Sequence, residues 1–168
     1  LEGFYYKPRI DKEILAEKSA GLIALSGCLN GEIPRLLNAD RLPEAEQALD
    51  QYLKIFGERF YLELQAHSVP QDDKVRQILV DLGRRRSVPL VATQDCHYLE
   101  HADASAHEAL LCIQTAKNLS DEHRFKFGSD QFYFKSPDEM KKLFADCPEA
   151  IQNTLEIAKH CNLSFDFK

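Results

Sequence analysis

The sequence lacks several features that would each define a class of protein. None of its apolar runs is long enough to span a bilayer and no signal peptide is visible, so we expect a cytoplasmic protein with no membrane partner. Its 5 cysteines are odd in number and include no Cys-x-x-Cys pair, which argues for reduced thiols and against a disulfide framework. Internal repeats and low-complexity segments are also missing.

Positive charge is in short supply as well. With 21 Lys and Arg against 27 Asp and Glu, the net charge is −6, so the chain as a whole does not attract a phosphate backbone. Any contact with nucleic acid would have to be local or belong to a partner domain. The chain has 168 residues, begins at Leu1 and has its single methionine at Met140, so we expect a piece of a longer polypeptide with room for one domain and its core.

The first part of the chain alternates short apolar runs with amphipathic helical patterns. The predicted strands lie at 22–26, 60–65 and 90–93; two helices are predicted between about residues 30 and 57, and another at 71–86. This β-α-β-α-β order predicts an α/β fold with parallel strands, either a barrel or a doubly wound sheet. Glu63 and Gln65 share one face of the second strand, which predicts that this face lines a cavity instead of meeting water.

Beyond residue 103 the pattern becomes mainly helical. Helices are predicted at about 104–115, from Ser136 onward and at 148–161, with a short aromatic strand at 131–134. In the first of these helices, Leu110 and Ile113 fall on the face predicted to be buried. We therefore expect residues 1–135 to form the α/β part and residues 136–168 to form a small helical appendage.

Side chains of the metal-ligand type follow each predicted strand. Cys28 follows the first, His67 the second, and Asp95 and His97 the third. Because the carboxyl ends of parallel strands meet at one edge of a sheet, these residues are predicted to converge there. Read as an extended segment, Asp95 and His97 would point the same way, which suits a divalent-metal site. A loop salt bridge or a helix cap is the alternative for this pair.

Two further polar groups have alternative interpretations. Arg84–Arg86 at the end of a predicted helix could contact phosphate, but the pattern favours a solvated helix terminus, where cations suit the helix dipole. His107 lies one turn from apolar residues, which favours packing or capping over metal binding.

Six ordered blocks of the sequence resemble one protein family. They are Gly3–Ile10, Leu25–Pro34, Phe60–His67, Val91–Leu99, Ala106–Gln114 and Phe132–Met140. Together they are similar to the second half of the N-terminal PHP (polymerase and histidinol phosphatase) domain of the bacterial DNA polymerase III alpha subunits. The resemblance covers nearly the whole chain.

The resemblance implies a distorted barrel of parallel strands and helices with divalent metals, zinc or manganese, at the carboxyl ends of its strands. Cys28, Asp95 and His97 match the family's ligand positions, and Glu63 and His67 match positions that support the site without binding metal. In some members this domain is a 3′-5′ exonuclease, whereas in others it serves structure and the docking of a proofreading subunit. The family's opening His-x-His motif is absent from these residues, so we expect the segment to be inactive alone.

For the parent protein, the resemblance implies a DNA-directed DNA polymerase that uses magnesium. The implied partners are DNA, the sliding clamp, the clamp-loader tau subunit and the proofreading subunit. A replicative and an error-prone polymerase both fit, with the match leaning to the former. A stand-alone PHP phosphatase is a further alternative, against which the Gly3–Ile10 and Ser136–Met140 blocks argue.

Overall fold

The computed structural model describes residues 3–167, and it contains seven α-helices and five short strands within that range. The strands are β1 (Phe4–Tyr5), β2 (Lys7–Pro8), β3 (Ala24–Leu25), β4 (Phe60–Leu64) and β5 (Leu90–Ala92). The helices are α1 (Lys12–Glu17), α2 (Glu32–Asn38), α3 (Leu42–Phe56), α4 (Pro70–Arg86), α5 (Ala104–Thr115), α6 (Pro137–Leu143) and α7 (Pro148–His160).

A three-stranded parallel sheet in the order β3-β4-β5 confirms the predicted α/β fold. Ala24 pairs with Phe60, and Leu62 pairs with Leu90, so all three strands end at the same edge. Helices α2 and α3 connect the first two strands, and α4 connects the next two. The strands are shorter than predicted, but their order and direction are those expected from the alternation of apolar runs.

One hydrophobic core holds the sheet and its helices together. Phe60, Leu62 and Leu64 on β4 are all at most 1% exposed, and they pack with apolar residues of α2, α3 and α4. Leu49 of α3 and Leu82 of α4 are fully buried in the same core. The apolar period of about 3.6 residues in α3 and α4 thus places one stripe of each helix against the sheet.

Helices α6 and α7, within the predicted segment 136–168, pack into the same core, and the domain boundary at residue 135 stays a prediction. Met140, Phe144 and Ala150 belong to the core cluster that contains the sheet residues. The side-chain amide of Asn153 in α7 donates to the backbone carbonyl of Leu90 in β5 at 2.7 Å. The C-terminal helices therefore cover the β5 side of the sheet.

The exposed positions of α5 and α7 also differ from the prediction. Leu110 and Ile113 are 62% and 78% exposed, although their spacing placed them on a buried face. Cys112 and Cys161 both fall in apolar helical patterns, which predicts core positions for both; Cys112 is buried, but Cys161 is exposed. The aromatic strand predicted at 131–134 is reduced to one bridge between Tyr98 and Tyr133.

Among residues 3–167, no helix combines the length and apolar character needed to cross a membrane.

Candidate metal centre

The loops that follow the three parallel strands meet around one cavity, as the strand order predicts. The cavity has a volume of about 210 Å³, and its lining includes Cys28 from the loop after β3, His67 from the loop after β4 and Asp95 from the loop after β5. Lys126 contributes a positive charge to the same lining. The strand-end convergence inferred from the sequence is therefore confirmed for three of the four candidate side chains.

Glu63 ties together the loops that carry Cys28 and Asp95. One carboxylate oxygen accepts the backbone N–H of Gly27 at 3.1 Å. The other accepts the hydroxyl of Thr93 at 2.6 Å and the side-chain amide of Gln65 at 3.0 Å. Gly27 immediately precedes Cys28, and Thr93 lies two residues before Asp95, so this carboxylate sets the spacing of the two loops. Glu63 thus has the geometry of a positioning residue, and a role toward a metal stays a prediction.

Both ring nitrogens of His67 make contacts within the fold, so neither is left to bind a metal. The side chain is 3% exposed. Its Nδ1 lies 2.8 Å from Asp72 Oδ2 and its Nε2 lies 2.9 Å from the backbone carbonyl of Gln94. Both neighbouring atoms are acceptors, so both contacts are hydrogen bonds only when the ring carries two hydrogens. The ring also stacks on Phe132, with centroids 4.1 Å apart.

Asp95 and His97 do not share a strand face, which corrects the geometric argument made from their spacing. Strand β5 ends at Ala92, and Asp95 has a φ of +48°, in the left-handed region that a non-glycine residue seldom adopts. The turn directs the ring of His97 into an aromatic cluster, 4.7 Å from Phe127 and 5.5 Å from His107. Asp95 faces the cavity, and His97 lies behind the Phe127 wall of that cavity.

The backbone of the same turn sets the tautomer of His97. Its Nδ1 lies 2.7 Å from the backbone carbonyl of Asp95, an acceptor, so in the neutral form of the ring Nδ1 carries the hydrogen and Nε2 has the lone pair. Burial, together with the charge of His97, lowers the pKa of the neighbouring His107, which favours a neutral ring in the packing role predicted for it.

The donor types suit zinc or manganese, but their arrangement in this chain does not complete a site. A thiol, a carboxylate and an imidazole with a free Nε2 are suitable ligands in kind. Within residues 3–167, however, no three His, Cys, Asp or Glu side chains are grouped so that they could hold one ion. The described residues therefore offer at most part of a metal site.

The three arginines at the end of α4 are each paired with a carboxylate of another helix. Arg84 binds Glu149 of α7 at 3.4 Å, while Arg85 and Arg86 bind Glu46 and Asp50 of α3. These pairs favour the interpretation of the triplet as a helix terminus over that of a phosphate site.

Sequence reasoning gave no role to two residues that shape this region. Asp72 holds the ring of His67 through a hydrogen bond. The sequence signal for this contact is an acidic residue in the first turn of α4, five positions after His67. Phe127 separates the cavity from His97, and nothing in the local sequence indicates its position because the segment 117–135 has no regular secondary structure.

Part of the chain is similar to a known family of domains. Residues 1–67 match the PHP domain family. Known relatives then extend the comparison to the rest of the chain. The DNA polymerase III subunit alpha of Thermus aquaticus is 48% identical over 97% of this chain, and that of Borreliella burgdorferi is 47% identical over all of it. The same subunit of Helicobacter pylori is 40% identical over 100% of the chain.

These matches confirm the resemblance inferred from the sequence. The chain is homologous along its whole length to a segment of DNA polymerase III alpha subunits. It spans only 14% of the length of the Thermus aquaticus and Borreliella burgdorferi proteins. The extension of the PHP domain from residue 67 to residue 135 stays a prediction.

Proposed function

We propose that this chain forms one wall of a metal-dependent phosphoesterase site in the PHP domain of a cytoplasmic DNA polymerase III alpha subunit. The observation that supports this proposal is the meeting of Cys28 and Asp95 at the ends of parallel strands, around one cavity. Lys126 in the lining suits the charge of a phosphodiester. The remaining ligands, including the His-x-His motif, would come from other parts of the polypeptide.

In this proposal the residues of the chain have separate roles. Cys28, Asp95 and His97 are the candidate ligands for zinc or manganese, while Glu63 and His67 hold the loops that carry them. For His97 to reach the cavity, its ring would have to leave the contact with Phe127, or the ion would have to sit on the Phe127 side. The parent subunit would synthesise DNA with magnesium and contact DNA, the sliding clamp, tau and the proofreading subunit.

A structural module that docks a proofreading subunit is the second candidate. It is favoured by the use of both His67 nitrogens within the fold and by the lack of a three-ligand group among residues 3–167. In that case the polymerase region would carry all of the chemistry.

The experiment is metal analysis and 3′-end hydrolysis on the full-length subunit. Cys28→Ser and Asp95→Ala are compared with Cys161→Ser and Asp81→Ala, which change exposed residues far from the cavity in sequence. We expect the first pair to lose bound manganese or zinc together with hydrolysis, and the second pair to retain both. A wild-type subunit that binds no metal would instead support the structural module.

A further inference from the structure

A second and larger cavity lies beside the candidate metal centre. It has a volume of about 400 Å³ and is formed between the first half of α5 and the segment 127–130. This size is in the range of sites that hold small organic ligands. Phe127 and Gly128 line both cavities, so one wall separates them.

Aromatic rings form one side of this second cavity. Tyr98, His107 and Phe127 all line it, and their rings contact one another in sequence. The centroids of Tyr98 and His107 lie 5.3 Å apart, and those of His107 and Phe127 lie 5.2 Å apart. Rings of this kind supply faces on which a planar heterocycle can stack.

Hydrogen-bonding groups complete the lining. Ser105 and Glu108 of α5 and Ser129 and Asp130 of the loop all line the cavity. Arg124 holds Oε1 of Glu108 at 2.5 Å, which fixes the carboxylate and leaves Oε2 to accept another hydrogen bond. Over the described part of the chain, the ring nitrogens of His107 make no hydrogen bond, so they too are available to a ligand.

We propose that this cavity binds the base at the 3′ end of a single DNA strand whose terminal phosphodiester occupies the adjacent Cys28–Asp95 cavity. The inference rests on the proposed phosphoesterase function and assigns the second cavity to the terminal base of the strand. A fixed carboxylate accepts hydrogen bonds from exocyclic amino groups, so bases that carry one are preferred over thymine. Stacking on the aromatic wall is independent of base identity and supplies the larger part of the affinity.

The test measures binding to the 168-residue chain by fluorescence anisotropy, with 5′-fluorescein tetranucleotides that differ only in the 3′ base. The buffer contains EDTA, so the readout does not depend on a metal or on hydrolysis. Ser105→Phe fills the cavity from an exposed position of α5, and Ala106→Phe adds the same ring at the neighbouring exposed position. We expect Ser105→Phe to weaken binding by about tenfold or more and Ala106→Phe to leave it unchanged.

Glu108→Gln gives a second readout that does not rely on filling the cavity. It is expected to lower the preference for amino-bearing 3′ bases over thymine while retaining most of the affinity. Equal binding by wild type and Ser105→Phe, a base preference unchanged in Glu108→Gln, or no binding of any tetranucleotide would each overturn the inference. Loss of the proposed phosphoesterase activity in the parent, with binding here intact, would refute the proposed function alone.

Discussion

Asp72 Oδ2 accepts two hydrogen bonds from a single residue, His67: one from the backbone N–H at 3.2 Å and one from the ring Nδ1 at 2.8 Å. Both side chains are nearly excluded from solvent, at 4% and 3% exposure. This pair joins the end of β4 to the first turn of α4, and through Gln94 it also reaches the loop after β5. It therefore fixes the base of the candidate site.

Asp72→Ala removes the acceptor and leaves two buried donors of His67 without a partner. We expect it to lower the free energy of unfolding by about 3 kcal/mol, because breaking a buried pair costs far more than losing an exposed one. Asp73→Ala, an exposed change at the next position of the same helical turn, is the control. Urea unfolding followed by circular dichroism measures both, and similar losses in the two variants would contradict the role given to Asp72.

Thr93→Val keeps the shape of the side chain and removes the hydroxyl that donates to Glu63 at 2.6 Å. Since the carboxylate stays partly buried with one partner fewer, we expect a loss of about 1–3 kcal/mol in unfolding free energy. Thr115→Val, at the exposed end of α5, should change stability by less than about 0.5 kcal/mol. Thermal unfolding compares the two, and a stable Thr93→Val variant would show that Glu63 does not depend on this contact.

Gly31→Ala tests the loop that carries Cys28. A Cβ at this position would lie 2.2 Å from the carbonyl oxygen of Ser26 and 3.1 Å from that of Cys28, so the backbone must move. We expect a loss of about 1–3 kcal/mol, the usual range for overpacking, together with faster modification of the Cys28 thiol. Gly128→Ala, where the nearest atom is a Val69 methyl at 3.3 Å, is the matched control. Unchanged stability and thiol reactivity in Gly31→Ala would mean that the loop is not constrained as described.

The lowered pKa of Glu139 predicts that the stabilisation of α6 is sensitive to acid. Hydrogen bonds from the Tyr133 hydroxyl, and then from Ser136, hold the pKa of Glu139 at about 2, below its ordinary value of 4.5. Because the pKa is lowered in the folded state, the stabilisation is present above pH 4.5 and is lost as the pH falls toward 2. Between about pH 5 and about pH 3, the urea midpoint of wild type should fall more steeply than that of Glu139→Gln. The exposed Glu122→Gln variant should follow wild type, and parallel curves for all three would contradict the prediction.

The elements that the sequence predicted best are those whose signals are local. Helices α3 and α4 begin at a proline near their first position and carry a regular apolar stripe, so their bounds were predicted to within a few residues. The capping box of Ser136 and Glu139 was predicted and is present. The alternation of strands and helices was also enough to predict that Cys28, His67 and Asp95 converge, and they line one cavity.

Other parts of the site could not be predicted because their causes are not local. The left-handed backbone of Asp95 turns His97 away from the strand direction, and an Asp in this conformation leaves no pattern in a single sequence. The apolar stripe of α5 indicates that Leu110 and Ile113 suit burial, but not which surface covers them. The contact of His97 with Phe127 joins residues thirty positions apart through a segment without regular structure.

The hydrogen bond from Asn153 to Leu90 has a consequence for association between chains. In the order β3-β4-β5, strand β5 lies at the border of the sheet, where free backbone carbonyls can recruit a strand from another molecule. The side chain of Asn153 already donates to the outward carbonyl of Leu90, so a strand of another molecule could pair there only by displacing α7. Helix α7 thus protects the β5 edge of the sheet from pairing with a strand of another molecule.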